Sequence, residues 1–326
     1  MNRKRVVVAL GGNAIKQAHE RGTPEEQLRN CEMTCKLLAK IVKELGKDGR
    51  LIITHGNGPQ AGNLMVQQEE AKHIVPAQTM DIVGAMTQGQ IGYMLQQTLG
   101  NCLRDMGINI PVCAIINQVV VHKDDPEFFG GNASKPVGNF FTKEEAEKIK
   151  KRHPEYTIKK VKPVGERVWR RCVPSPDPII NVEADVIRKL VEMGVIVIAS
   201  GGGGIPVIKD EHGHYKGVEA VIDKDLAGEK LAEAVDADIF LILTDVDKVK
   251  LNFGKPNEKN IDAMSVTEAE QYLKEGHFLS GSMEPKVKAC IRFLKWGGEK
   301  AIITSLDKAV DALKGNAGTL IYKSQP

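Results

Sequence analysis

The sequence predicts an α/β fold, a three-layer αβα sandwich built on a mainly parallel open sheet. Two observations carry this. Short apolar runs, mostly β-branched, alternate with longer segments whose apolar residues recur at three- and four-residue steps. Three of the short runs also stop abruptly at glycine. Residues 6–10 end at Gly11, Gly12 and Asn13. Residues 51–54 end at His55, Gly56, Asn57, Gly58 and Pro59, and residues 195–199 end at Ser200 and then Gly201 to Gly204. A strand that stops at a glycine turn bares backbone N–H groups at the carboxyl edge of the sheet, where open α/β sheets bind ligands.

Taken in order, residues 6–10 form the first strand. Arg3, Lys4 and Arg5 precede it and imitate a secretory leader, but the apolar run is too short and breaks at glycine. Residues 25–45 follow as a helix, with Leu28, Leu37, Leu38, Ile41, Val42 and Leu45 on its apolar side. Residues 51–54 are the second strand. Residues 79–106 read as a long helix through Leu95, Leu99, Leu103 and Met106. Its Gly84, Gly89 and Gly92 would let another helix approach, which predicts a homodimer; packing within the chain is the alternative. Residues 112–121 read as one strand.

The rhythm then breaks. Residues 123–171 are polar, charged and proline-dotted, with one Lys/Glu-rich helix at 142–152, and read as an excursion from the core, a small lobe or lid. Alternation resumes with a helix at 182–193 and the strand at 195–199. A turn-rich stretch at 210–214 places a lobe boundary near residue 222, dividing the chain into 1–222 and 223–326. Beyond it lie helices at 226–235 and 284–296 and strands at 240–244 and 301–304.

Composition excludes several function classes. The formal net charge of +3 is nearly balanced, and aromatics make up only 5% of residues, so neither general nucleic-acid binding nor a membrane surface is indicated. No segment approaches the roughly 18 apolar residues of a membrane helix. The six cysteines are scattered without a metal or disulfide pattern, which suits reduced thiols and a cytoplasmic setting.

The chemistry is carried by glycines and lysines. After Gly11 and Gly12 the third glycine of a dinucleotide fingerprint is missing, which argues against a dehydrogenase, and no Walker sequence is present. Three lysines sit in unusual places. Lys135 lies in a glycine-flanked turn inside the excursion, Lys224 stands between Asp223 and Asp225 before a helix, and Lys286 lies in the first turn of a helix that Ser282 could cap. Glycine turns and lysines together suit phosphoryl transfer, which needs alignment and charge neutralisation more than covalent chemistry. Asp225 could hold the lysines by charge-assisted hydrogen bonds. No Ser/His/Asp or Cys/His set accompanies them. His55 is read as a turn histidine bonded to backbone rather than a general base.

Several stretches, in order along the whole chain, resemble the carbamate kinases of the amino acid kinase family. They are residues 9–14 (Ala-Leu-Gly-Gly-Asn-Ala), 54–60, 132–138 (Asn-Ala-Ser-Lys-Pro-Val-Gly), 218–225, 244–247, 252–256 and 281–286. The resemblance implies an amino acid kinase-like sandwich of two lobes with a protruding subdomain at 123–171. It implies reversible transfer between ATP and carbamate, with ATP formation from carbamoyl phosphate and ADP as the expected direction, and Mg²⁺ as cofactor. It places carbamate or carbamoyl phosphate at Gly11, Gly12, Asn13, Gly56, Asn57 and Gly58. Lys135 would reach over the phosphoryl group from the subdomain, Lys224 and Lys286 would contact the nucleotide phosphates, Asp225 would organise them, and Asp245 would help bind the nucleoside. The metal ligands stay open. Acetylglutamate and aspartate kinases carry a lysine two residues before the paired glycines, where this chain has Ala9; Lys135 is the candidate replacement. Lys248 and Lys250 depart from the more apolar stretch expected there. The alternatives are another acylphosphate or amino-acid kinase of the same fold, and a nucleotide-binding regulator without catalysis.

Overall fold

The computed structural model describes residues 4–17 and 19–323. Arg3, in the basic stretch before the first strand, lies outside them. Eight strands form the main sheet. Their order is Ala263–Ser265, Thr319–Tyr322, Lys300–Ser305, Ile239–Thr244, Arg5–Leu10, Arg50–His55, Ile196–Ile198 and Val112–Ala114. Six run parallel, and the Thr319–Tyr322 and Ala263–Ser265 strands at one edge run the other way.

The first strand explains the layers. Its side chains alternate, so Val6, Val8 and Leu10 point to one face and Val7 and Ala9 to the other. The first face is covered by the Pro24–Leu45 and Met80–Asp105 helices through Leu38, Ile41, Leu95 and Leu99. The second is covered by the Lys224–Ala234 and Met283–Trp296 helices through Leu231, Phe293 and Leu294. All of these side chains are buried. The expected αβα sandwich is present. Thr23 and Glu26 close the start of the first helix with a reciprocal capping box, and Pro24 sits in its first turn.

From the first strand the chain moves to Arg50–His55 on one side, and later places Ile239–Thr244 on the other. The order reverses at Arg5–Leu10, so Gly11 and Gly12 lie at a topological switch point.

Three expectations are corrected. Residues 112–121 are two strands. Val112–Ala114 joins the main sheet and Gln118–Val121 joins a second, four-stranded sheet with Tyr215–Gly217, Ile205–Lys209 and Pro178–Asn181. The break falls at the buried Asn117, whose Nδ2 donates to Asn181 Oδ1 at 2.9 Å and whose Oδ1 accepts from the Ser200 amide at 2.6 Å. A buried amide that must satisfy two neighbours redirects the chain. The excursion is more than a loop with one helix. It holds an antiparallel sheet of Lys135–Phe141, Trp169–Val173 and Thr157–Lys160, beside the Lys143–Arg152 helix. Lys135 therefore opens a strand rather than sitting in a turn. Helices at Gly58–Ala71 and Val266–Lys274 add to those expected.

The six cysteines are unpaired. No helix among the described residues is long and apolar enough to cross a membrane.

Candidate active site

The first two glycine turns meet at the sheet's carboxyl edge. A Cβ on Gly56 would lie 3.4 Å from Lys224 Cδ and 3.5 Å from the Gly12 nitrogen. Glycine at 56 thus lets the second turn close on the first and on the start of the Lys224–Ala234 helix. The third run packs against the second turn: a Cβ on Gly201 would sit 2.3 Å from His55 Nε2, and one on Gly202 would sit 2.1 Å from Asn57 Nδ2. A Cβ on Gly203 would sit 2.3 Å from the Ile222 carbonyl, and one on Gly204 would sit 2.3 Å from Val119. Both residues have positive φ. The run lets the 200–204 loop pass beneath the segment that leads into Lys224.

Above these turns is a cavity of about 300 Å³. Gly12, Gly56, Asn57, Gly58, Lys135, Lys224, Asp225 and Lys286 all line it. Asp225 is buried at its centre of charge. Lys224 Nζ donates to one of its oxygens at 2.5 Å and Lys286 Nζ to the other at 2.9 Å. Burial alone would raise the Asp225 carboxyl, but Lys224 and Lys286 more than offset this and hold it below the usual carboxylate range. For Lys286, burial pulls the ammonium down and Asp225 outweighs it, leaving it raised. For Lys224 burial wins, helped by Lys286, and its ammonium is lowered.

Ser282 does not cap the helix of Lys286. It has φ −128° and ψ −85°, and its side chain makes no capping bond. Its carbonyl instead accepts from Lys286 Nζ at 3.3 Å, which steers the lysine back toward the cavity.

Gly11 and Asn13 stand slightly apart from this cavity. They line an adjoining hollow with Asp245 and Ser305. Asn13 Nδ2 donates to Asp245 Oδ2 at 2.7 Å, so one hydrogen bond ties the first glycine turn to the end of the Ile239–Thr244 strand. Asp245 also borders a further hollow with Val246, Phe253, Leu279 and Met283. Lys248 and Lys250 line it too, but their charges are met by Asp262 and Glu258.

His55 is buried and its Nδ1 donates to the Gly56 carbonyl at 3.0 Å. Burial, with a push from Lys224, lowers its pKa to about 4, against the partial support of that carbonyl. It is neutral at pH 7 and bonded to backbone, as the sequence indicated.

Two charged cavity residues escaped the sequence reading of the site. Arg170 comes from the excursion; its guanidinium lies 4.8 Å from the Phe140 ring centroid and donates to the Gly138 carbonyl at 2.8 Å. Asp223 accepts from Lys135 Nζ at 3.1 Å. Arg170 carried no local signal. Asp223 did, since an acid just before a helix is a capping pattern. Four cations against two carboxylates leave the cavity with two positive charges in excess, which suits a phosphate dianion.

A Gly-rich edge at the switch point and a lysine cluster on a buried carboxylate, with a second hollow beside them, define the class: a phosphotransferase. The comparisons give the family. The model of the amino acid kinase family matches residues 4–305. A carbamate kinase of Thermococcus kodakarensis is 56% identical over 322 residues, covering 98% of this chain and 99% of that protein. One of Latilactobacillus sakei is 46% identical, covering 99% and 100%. The solved structure of the Giardia lamblia carbamate kinase bound to AMP-PNP is 40% identical and superposes with a TM-score of 0.89, covering 98% and 99%. The chain belongs to the amino acid kinase family and, within it, to the carbamate kinases.

Proposed function

We propose that the chain transfers a phosphoryl group reversibly between ATP and carbamate, running toward ATP from carbamoyl phosphate and ADP. One observation carries the site reading. Lys135, Lys224 and Lys286 arrive from three separate elements and converge on one cavity beside Gly12 and Gly56. The acceptor group lies against Gly12, Gly56, Asn57 and Gly58, with Gly11 and Asn13 behind them. Residues 1–222, including the 123–171 subdomain, serve this acceptor side, and residues 223–326 serve the nucleotide.

In a loose transition state the moving phosphoryl group spreads charge over three oxygens. Lys135 neutralises it from the subdomain side, while Lys224 and Lys286 do so from the nucleotide side. Asp225 keeps the latter two in register. Neither direction needs a general base, because the attacking carbamate and ADP oxygens are already anionic. Ala9 supports the assignment of Lys135. It is fully buried, two residues before the paired glycines, and supplies no charge there.

The donor set does not suit a resident metal. Asp225 is held by two lysines, Asp223 by Lys135 and backbone, and Asp245 by Asn13. Among the described residues no group of three or more His, Cys, Asp or Glu side chains could hold a metal ion. Mg²⁺ enters as part of the substrate, on the nucleotide phosphates.

We further propose a homodimer through the Met80–Asp105 helix, where Ile82, Met86 and Tyr93 are exposed. Gly89 faces open space, whereas Gly92 is taken up inside the chain, its would-be Cβ lying 2.7 Å from Ala114. Light scattering giving a monomer mass would refute the dimer. The reversed reaction is tested by incubating the chain with carbamoyl phosphate, ADP and Mg²⁺ and following ATP; folded protein that makes none contradicts the proposal.

A further inference from the structure

Asp223 is the point where two separately built parts of the site are joined. Its two carboxylate oxygens face different ways. Oδ1 accepts from the backbone amides of Asp225 at 2.9 Å and Leu226 at 3.4 Å, closing the start of the Lys224–Ala234 helix. Oδ2 accepts from Lys135 Nζ at 3.1 Å, across the cavity. The Asp223 side chain is mostly buried and that of Lys135 is about one-third exposed.

We infer that Asp223 is a positioning residue for phosphoryl transfer: a single carboxylate that fixes the subdomain's Lys135 relative to Lys224 and Asp225. The inference rests on the function proposed above and deepens it. Lys135 stands on the first residue of its strand, at the end of a long, unbranched chain. Without a partner its ammonium samples many rotamers, and a charge displaced by an ångström loses much of its effect on the transition state. The helix that presents Lys224 and Asp225 needs a cap at the same point. One side chain meets both needs, so the lysines of the two parts share a common anchor. Asp223 acts through Lys135, and it contributes no chemistry of its own.

The variant that separates these roles is Asp223→Asn. Asparagine caps helices about as well as aspartate, so the fold is kept while the charge facing Lys135 is lost. We expect kcat for ATP formation to fall roughly tenfold, the KM for ADP to stay within twofold, and the unfolding temperature to stay close to that of the unaltered chain. In a chain already carrying Lys135→Ala, adding Asp223→Asn should change kcat by less than about twofold, because the group it positions is gone. A fall of the same factor in both backgrounds, or an Asp223→Asn chain as fast as or faster than the unaltered one, would overturn the inference. A second measurement needs no turnover and so stands apart from the proposed reaction. Hydrogen exchange of the amides in residues 135–141, read without substrate, should quicken in Asp223→Asn. Exchange at the unaltered rate would make Asp223 a helix cap and nothing more.

Discussion

The main sheet and the protruding subdomain bring cations to the same cavity, but they are held together by different forces. The sheet is a hydrophobic sandwich whose central strand is almost wholly buried. The subdomain, with the Trp169–Val173 strand that closes it, has few and small buried apolar residues: Ala133, Ala146, Val168, Cys172 and Val173. Its Lys135–Phe141 strand is only half-buried along its whole length. Cations stacked on rings do much of the holding there. Lys162 Nζ lies 4.0 Å from the Phe140 ring centroid, with Arg170 on the same ring, and Arg171 lies 3.9 Å from that of Tyr156. Such contacts contribute about 0.5–2 kcal/mol each and need no large core. The sheet therefore supplies stability and a fixed anion-binding edge, and the subdomain supplies reach.

This contrast makes substitutions at the sheet edge damage fold and chemistry together, and substitutions in the subdomain damage chemistry alone. The largest effect is expected at Asp225. Asp225→Ala leaves Lys224 and Lys286 buried without their shared counter-ion, and breaking a buried pair in this way costs about 3–5 kcal/mol. Urea unfolding at pH 7 should show that loss together with a collapse of turnover. A variant of unchanged stability would mean that the sheet edge is not held as described.

The next effect is on pH. His55 has a folded pKa of about 4, against roughly 6.5 in the unfolded chain. Between those values the unfolded state binds a proton that the folded state refuses, so stability rises with pH across the window and is lost on acidification. The loss attributable to this one ring is roughly 3 kcal/mol from pH 7 to pH 4. His55→Asn should flatten that part of the curve, as read by urea unfolding at several pH values. An identical slope in both proteins would remove His55 as the cause.

The smallest stability effect is expected in the subdomain. Lys135→Ala removes a partly exposed ion pair and should change unfolding by less than about 1 kcal/mol. Its effect on turnover should be large, about 10²–10³-fold, with ADP affinity unchanged. A variant that lost stability as Asp225→Ala does would erase the contrast between the two regions.

The same contrast explains what could be read from the chain. The main sheet was legible because burial writes itself as β-branched runs, and its glycine turns mark the edge where the cavity lies. Val112 to Val121 misled because an apolar run hides the one residue, Asn117, that bends it. The strands of the subdomain left no apolar periodicity to find, since rings and guanidinium groups rather than a core hold them. Lys135, Lys224, Lys286 and Asp225 were legible through local oddity and family resemblance. Their pairing was legible only in part. An acid beside Lys224 suggested Asp225, but nothing in the sequence says that Asp223 would reach across to a lysine 88 positions away. The run of Gly201 to Gly204 looked like a third anion cradle. Its four glycines are each crowded by a different neighbour, His55, Asn57, Ile222 and Val119 in turn, and Gly202 and Gly204 border the cavity.

The central claim is that the two regions meet in one phosphoryl-transfer site. It is tested most directly by following ATP formation from carbamoyl phosphate and MgADP, with the unaltered chain and Lys135→Ala measured side by side. The account expects sustained ATP formation by the first, and a rate 10²–10³-fold lower for the second at the same KM for ADP. No ATP from the folded unaltered chain, or equal rates for the two, would contradict it.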